Sequence, residues 1–115
     1  MLYKCNMYSE SEYDCILKAL GHAGRREILD LIKDEPHTTS ELCLTLKKMD
    51  RCTVMQHLSV LEKADLILVK HRGKYRWNHI NILPIQELHD RWISKFSLDV
   101  IDIVAKSKQD IEQDS

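Results

Sequence analysis

The sequence predicts a mainly α-helical domain with one β-hairpin, in the element order α-α-α-α-β-β-α. Amphipathic segments with the apolar spacing i, i+3, i+4 cover most of residues 9–64. Two short strand-like runs, of which the first is aliphatic and β-branched, then flank Gly73, which is the pattern of a hairpin. The 115-residue chain contains 3 Gly and 2 Pro, too few for a turn-rich sandwich of short strands. One domain of this length can bury a sizeable core.

The first two helices are predicted by their apolar faces. Residues 9–20 carry one stripe: Tyr13, Ile16, Leu17 and Leu20. Residues 21–24 interrupt the pattern, and a second helix is predicted from about residue 23 to residue 34. Its inward residues are Ile28, Leu29, Leu31 and Ile32. Pro36 ends this helix, because proline lacks the backbone N–H that a helix needs.

Capping residues predict where the third and fourth helices begin. Thr38 and Glu41 have the spacing of a capping box, so a short helix should start there and end near Lys48. Residues 49–51 form the predicted turn, and Asp50 is a suitable N-cap for the next helix. That helix should run to about Ala64. Its inward face is Val54, Leu58 and Leu61.

A hairpin and a last helix complete the predicted domain. The strands are expected at residues 66–71 and 75–80, around Arg72-Gly73-Lys74. Asn81 can cap a long final helix, and Pro84 fits its first turn. The apolar stripe of this helix is Ile85, Leu88, Trp92 and Phe96, with a possible continuation through Val100, Ile101 and Val104. We expect a flexible N-terminus at 1–8, the domain at 9–105 and a polar tail at 106–115.

The net charge of −1 conceals a basic centre. Residues 47–79 carry eight basic and three acidic side chains, a net charge of +5. The segments 1–46 and 97–115 each carry a net charge of −3. A basic middle between acidic ends suits a protein that presents one face to a polyanion, although a solvated charged face would give the same pattern.

The order of elements in this basic centre is that of a winged helix-turn-helix. A short helix, a tight turn and a helix with a polar outer face form the helix-turn-helix, and the hairpin after it forms the wing. The partner is therefore expected to be double-stranded DNA. Gln56 could bond bidentately to adenine and Arg51 to guanine, while the wing neutralises phosphates or enters the minor groove. The predicted DNA-binding residues are Arg51, Cys52, Thr53, Met55, Gln56, Ser59, Lys70, His71, Arg72, Lys74 and Arg76.

Several short motifs in this order resemble the ArsR-type winged helix-turn-helix repressors. They are ALGH…RREIL over 19–29, TxxEL over 38–42, VxxHLxxLxxA over 54–64 and the basic wing. The resemblance covers roughly residues 17–96 and implies a homodimeric transcriptional repressor that binds an inverted repeat. Two positions depart from the family pattern. Asp65 stands where glycine often ends the recognition helix, and Gly24 stands where Thr or Ser is common.

The apolar stripes of the first and last helices predict a homodimer. A single three-helix core with a wing cannot cover both stripes. The predicted interface residues are Tyr13, Leu17, Leu88, Trp92 and Phe96. Two-fold symmetry would then place two recognition helices about one turn of DNA apart, near 34 Å.

Neither a metal site nor any other cofactor is predicted. Metal-sensing relatives resemble the segment around Cys43 but carry a second cysteine where this chain has Thr45, and a hydroxyl cannot replace a thiolate. The segment 84–95 is instead similar to a subgroup of these regulators that is not built around a metal. His89 beside Asp90 is expected to be solvated or at an interface rather than a metal ligand.

Alternatives to a plain DNA-binding repressor remain open. Cys52, at the start of the recognition helix, could make the protein responsive to thiol oxidants, and Cys43 could make it responsive to metals. The fold could also serve protein–protein contact alone. His57 is either packed at the core edge or in contact with a base. Arg25 and Arg26 either contact phosphate or pair with Glu27 and Asp30.

Other functional classes find no support in the sequence. The chain has no nucleophile turn, no Gly-rich phosphate loop and no Cys-x-x-Cys, so an enzyme is not expected. The N-terminal sequence MLYKCNMYSESEY lacks the apolar core of a secretory signal, and the apolar runs are too short to span a membrane. A cytoplasmic protein with free thiols and no membrane partner is therefore expected, and its inducing signal is left open.

Overall fold

A computed structural model describes residues 8–96 of the chain, and within them the predicted fold class is confirmed. The helices are α1 (Glu10–Leu20), α2 (Ala23–Ile32), α3 (Thr39–Thr45), α4 (Arg51–Lys63) and α5 (Leu83–Arg91), followed by a short 3-10 helix (Ile93–Lys95). The strands are β1 (His37–Thr38), β2 (Ile67–Arg72) and β3 (Tyr75–Ile80). The predicted extension of the last apolar stripe and the polar tail lie outside the described residues.

Side-chain caps begin four of the helices: Ser9, His22, Thr38 and Asp50 cap α1, α2, α3 and α4. Ser9 and Thr38 each form a capping box, with Glu12 and Glu41 as the reciprocal partners. Asp50 Oδ1 accepts a hydrogen bond of 2.8 Å from the backbone N–H of Thr53, and this bond lowers the pKa of the Asp50 carboxyl group. The start of α4 is thus fixed as its sequence predicts.

The inner face of α4 lies at the centre of the core. Val54, Leu58 and Leu61 are fully buried, as the sequence predicts. They pack with apolar residues of the other helices and with those at and just before the start of β2, which include Ile16, Ile28, Ile32, Leu42, Leu66 and Ile67. Because the inner face of α4 is fully enclosed, the helix has one remaining face to present to solvent.

The wing is part of a three-stranded antiparallel sheet with the order β1-β3-β2. Gly73 begins the tight turn between β2 and β3 and has a φ of 62°, as the first position of a type II′ turn requires. β1 was not predicted from the sequence, and its His37 and Thr38 pair with Asn78 and Trp77. A strand of two residues, one of which is also the N-cap of α3, is too short to show strand periodicity.

The turn of the helix-turn-helix is longer than predicted. α3 ends at Thr45, not near Lys48, and residues 46–50 connect it to α4. Leu46 is the C-cap of α3, and its side chain is buried. Its backbone N–H donates to Leu42 O at 2.8 Å, and its own carbonyl accepts from the N–H of Met49. The polar pair Lys47-Lys48 therefore lies in the turn rather than in a helix.

The last helix is shorter than predicted within the described residues. α5 ends at Arg91, and Trp92 leaves the helical region with φ −127° and ψ −53°. Backbone bonds to the third residue back then tighten the chain into the 3-10 helix that ends before Phe96. Trp92 and Phe96 therefore do not share one α-helical stripe, although their rings pack edge to face at 5.3 Å.

The C-terminal end of α4 is held by a cluster around Asp65. This residue has a φ of 63°, the left-handed backbone that commonly ends a helix. Its carboxylate accepts a hydrogen bond of 2.7 Å from the buried Tyr8 hydroxyl. Its carbonyl accepts one of 2.9 Å from Asn81 Nδ2. The segment before α1, the end of α4 and the end of the wing thus meet at one residue.

Replacing Tyr8 with phenylalanine should lower the free energy of unfolding by about 1–2 kcal/mol, because a hydrogen bond to a carboxylate is lost from a buried site. Urea denaturation followed by circular dichroism measures this. Tyr75→Phe is the matched control, since Tyr75 is half exposed. Equal effects of the two substitutions would contradict the assigned role of Tyr8.

Candidate nucleic-acid interface

The outer face of α4 is exposed along its first two turns. The side chains of Arg51, Cys52, Met55, Gln56 and Ser59 face solvent, and Thr53 is half buried. This set offers a guanidinium, an amide, hydroxyls and apolar surface. These are the groups that can hydrogen-bond to base edges or contact a thymine methyl group.

A cleft of about 160 Å³ connects this face to the wing and to the start of α3. Its walls are Thr38, Thr39, Ser40, Arg51, Met55, Lys74, Tyr75 and Arg76. Ser40 was not among the residues predicted from the sequence, and its exposed side chain lies here, two residues after the cap of α3. Ser40 could have been predicted from its position, because it is a polar residue in the first turn of α3, the helix that precedes α4.

The wing presents most of its predicted cations to solvent. Lys70, His71, Arg72 and Lys74 are exposed, and Lys74 Nζ lies 5.5 Å from the centre of the Tyr75 ring. Arg76 differs from them, because its side chain is 23% exposed and lies 3.4 Å from Glu62 of α4. It therefore joins the wing to the end of the recognition helix.

Asn78 fixes the position of the wing relative to α3. Its side chain is fully buried on β3. Its Nδ2 donates to the carbonyl of His37 and to Oγ1 of Thr39, both at 3.2 Å. Its Oδ1 accepts from Nε of Arg76 at 3.4 Å. The wing and the start of α3 are thus held together by the hydrogen bonds of one buried side chain.

His57 and the two arginines of α2 do not face the outer surface of α4. The His57 ring is 8% exposed at the edge of the core. Burial lowers its pKa, and the charges of His22 and Arg25 lower it further. The Arg25 and Arg26 side chains donate to carbonyl oxygens at the end of α1, at 2.7 Å to Ala19 and 2.7 Å to Leu20. The sequence had left open a phosphate contact or an ion pair for the two arginines, and it did not predict these bonds to the end of α1.

The described cysteines are separate thiols. Cys15 and Cys52 are exposed, whereas Cys43 is half buried against the core. Within residues 8–96, no three side chains of His, Cys, Asp or Glu converge as metal ligands would. His89 Nδ1 lies 3.3 Å from Asp90 Oδ1, and both side chains are exposed.

A second surface lies between α1 and α5. Leu17 is 45% exposed, Trp92 52% and Phe96 53%, whereas Tyr13 and Leu88 are already buried by their own chain. A groove of about 390 Å³ separates the two helices. Its walls are Glu10, Tyr13, Asp14, Leu17, Leu88, Arg91, Trp92 and Lys95. Three of the five predicted interface residues are therefore available to another molecule.

The described helices are all too short or too polar to cross a lipid bilayer.

Known proteins share both the sequence and the fold. A family model described as a helix-turn-helix domain matches residues 20–70. The chain is 42% identical over 86 residues to YuzN of Bacillus subtilis (strain 168), an uncharacterised HTH-type transcriptional regulator, covering 70% of this chain and 94% of YuzN. These matches are to regulators and not to enzymes, as the sequence predicts.

Solved structures of ArsR-family regulators have a similar fold. A crystal structure of an ArsR family transcriptional regulator superposes with a TM-score of 0.70 at 24% identity, covering 79% of this chain and 93% of that one. A solution structure from Mycobacterium bovis, of a homodimeric winged helix-turn-helix DNA-binding domain, superposes with a TM-score of 0.60 at 19% identity. That match covers 76% of this chain and 82% of the other.

Proposed function

This chain belongs to the HTH-type transcriptional regulators, with the winged helix-turn-helix fold of the ArsR family, and we propose that it is a homodimeric repressor that binds an inverted repeat in double-stranded DNA. The observation that carries the proposal is the exposed polar face of α4 beside the exposed cations of the wing. A regulator of this kind acts in the cytoplasm, on the DNA it binds.

In the proposed complex, the outer face of α4 enters the major groove. Arg51 and Gln56 contact base edges, because their planar groups can each form two hydrogen bonds to one base. Lys70, Arg72 and Lys74 neutralise phosphates beside the groove. Arg76 acts within the protein, through Glu62 and Asn78, and keeps the wing at the angle that this docking needs.

The groove between α1 and α5 is the proposed dimer interface. Leu17 and Trp92 leave apolar surface exposed on its walls, and the exposed Phe96 ring packs against Trp92. Burial of such surface drives association. The Mycobacterium bovis domain, which has a similar fold, is homodimeric, and this supports a dimeric state for the present chain. A dimer on an inverted repeat would repress by occupying DNA that the transcription machinery needs.

Selection from a library of random duplexes tests the proposal. Cycles of binding and amplification should enrich an inverted repeat whose half-site centres lie about 10 bp apart, since two-fold related helices sit one DNA turn apart. We call the enriched duplex the operator. Failure to enrich any sequence, with binding that depends on salt alone, would contradict base recognition and leave non-specific DNA binding or a protein-interaction module.

Zinc, cadmium or arsenite at a few equivalents should change operator affinity by less than about tenfold, which is 1.4 kcal/mol of coupling. A tight metal site needs about four converging donor atoms. Thr45 stands two residues after Cys43, at the position where a second thiolate would be required. Fluorescence anisotropy with the reduced protein measures the affinity. A larger loss that Cys43→Ser abolishes would show that Cys43 does serve as a ligand.

A further inference from the structure

Two histidines stack where the recognition helix meets the start of α2. The rings of His22 and His57 have centres 4.5 Å apart and planes tilted by 50°. Gly24 makes room for them, because a Cβ atom at this position would lie 3.1 Å from His57 Nε2 and 3.3 Å from His22 Nδ1. A side chain at this position would crowd both rings, so the packing of the two histidines depends on Gly24.

The hydrogen bonding around the two rings favours the neutral form of His57. His22 Nδ1 accepts from the backbone N–H of Gly24 at 3.0 Å and thereby caps α2. His57 Nδ1 lies 3.3 Å from a guanidinium nitrogen of Arg25. A guanidinium has no lone pair, so the imidazole nitrogen has to accept this bond. Protonation of His57 would remove the acceptor and place a second cation beside Arg25.

The surroundings of His57 offer protonation no compensation. The charges acting on its ring are those of His22, in the turn before α2, and Arg25, on α2. The Arg25 guanidinium group is held by the carbonyl oxygens of Ala19 and Lys18 at the end of α1, so it cannot simply withdraw. A cavity that His22 and Gly24 help to line is also bounded by Glu27 of α2 and by Lys47 and Lys48 of the turn before α4.

From this geometry we propose that neutral His57 is a positioning residue for DNA binding, and that its protonation in mildly acidic solution releases the DNA. His57 belongs to the same helix as Arg51 and Gln56, so displacement of its ring from Arg25 shifts the base-contacting face relative to α2. Protons then act as an effector at a site separate from the DNA surface. This inference rests on the proposed function.

Ring titration by NMR tests the first half of the proposal in the free protein. The Cε1–H signal of His57 should titrate below the ordinary histidine value of about 6.5, and backbone amides of α4 should shift with the same midpoint. Because the folded protein binds this proton less tightly than the unfolded chain does, stability is full above about pH 6.5 and falls as the pH drops through the lower pKa. A His57 midpoint at or above 6.5, or α4 amides that do not follow it, would overturn the proposal.

Operator affinity as a function of pH tests the second half. Between pH 7.5 and 5.5 the wild-type protein should lose about tenfold in affinity, and His57→Gln, which cannot be protonated, should flatten that slope. His89→Gln is the matched control, since His89 is exposed on α5, and it should keep the wild-type slope. Equal slopes for the wild type and His57→Gln, or an affinity that rises on acidification through His57, would contradict the proposal.

Arg25→Gln gives a second variant in case His57→Gln does not fold. Removal of the neighbouring cation should raise the pKa of His57 and move the midpoint of DNA release to higher pH. An unchanged midpoint would count against the proposal. Absence of sequence-specific DNA binding at every pH would instead contradict the proposed function, and the ring titration in the free protein would still decide the behaviour of His57.

Discussion

Replacement of Arg51 or Gln56 with alanine is expected to weaken operator binding by about 1–3 kcal/mol per half-site and to relax the preference at one base pair. Both side chains are exposed on the outer face of α4, so their loss leaves the core intact. Fluorescence anisotropy with the operator and with duplexes altered at single base pairs measures both effects. Unfolding by urea should be unchanged.

Arg72→Ala and Lys74→Ala provide the matched comparison on the wing. These side chains carry charge but are not expected to contact bases, so their loss should weaken binding to all sequences alike. Each should also reduce the salt dependence of the affinity by about one unit of slope. Altered base preference in the wing variants, together with unaltered preference in the α4 variants, would show that the assignment of the two surfaces is wrong.

Leu17→Asp is expected to convert the dimer into a monomer and to lower operator affinity by about a hundredfold or more, because each half-site is then bound without help from the other. Leu17 is 45% exposed on the wall of the α1–α5 groove, so the new carboxylate would be buried on dimerisation. Sedimentation velocity at micromolar concentration measures the oligomeric state.

Leu44→Asp is the control for that substitution. It makes the same chemical change at a residue 72% exposed on α3, away from the groove. This variant should remain dimeric. A Leu17→Asp protein that sediments as a dimer, or a wild-type protein that sediments as a monomer, would contradict the proposed interface.

Local patterns were sufficient to predict most of the fold. The buried face of α4 follows from the spacing of Val54, Leu58 and Leu61, and the caps at Thr38 and Asp50 act within three residues of themselves. The ends of α3 and α5 were predicted too late. Apolar residues continue past both ends, so the hydrophobic pattern does not mark where the helices stop. The backbone leaves the helical conformation at Leu46 after α3 and at Trp92 after α5.

The contacts behind the candidate site depend on tertiary structure and could not be predicted. The sequence identified the exposed residues of α4 and the cations of the wing. It could not reveal that Arg76 pairs with Glu62, fourteen residues away, or that Arg25 lies against His57, thirty-two residues away. Contacts at such separations leave no trace in periodicity, because they arise only when the elements pack.

The chemical reactivity of Cys52 tests most directly whether the outer face of α4 binds DNA. Cys52 is exposed on that face, and Cys15, exposed on α1, serves as an internal control. Labelling with a maleimide, followed by peptide mass mapping, gives the rate for each thiol. We predict that the operator slows the labelling of Cys52 strongly and leaves that of Cys15 unchanged. Equal labelling rates of Cys52 with and without bound operator would contradict the account.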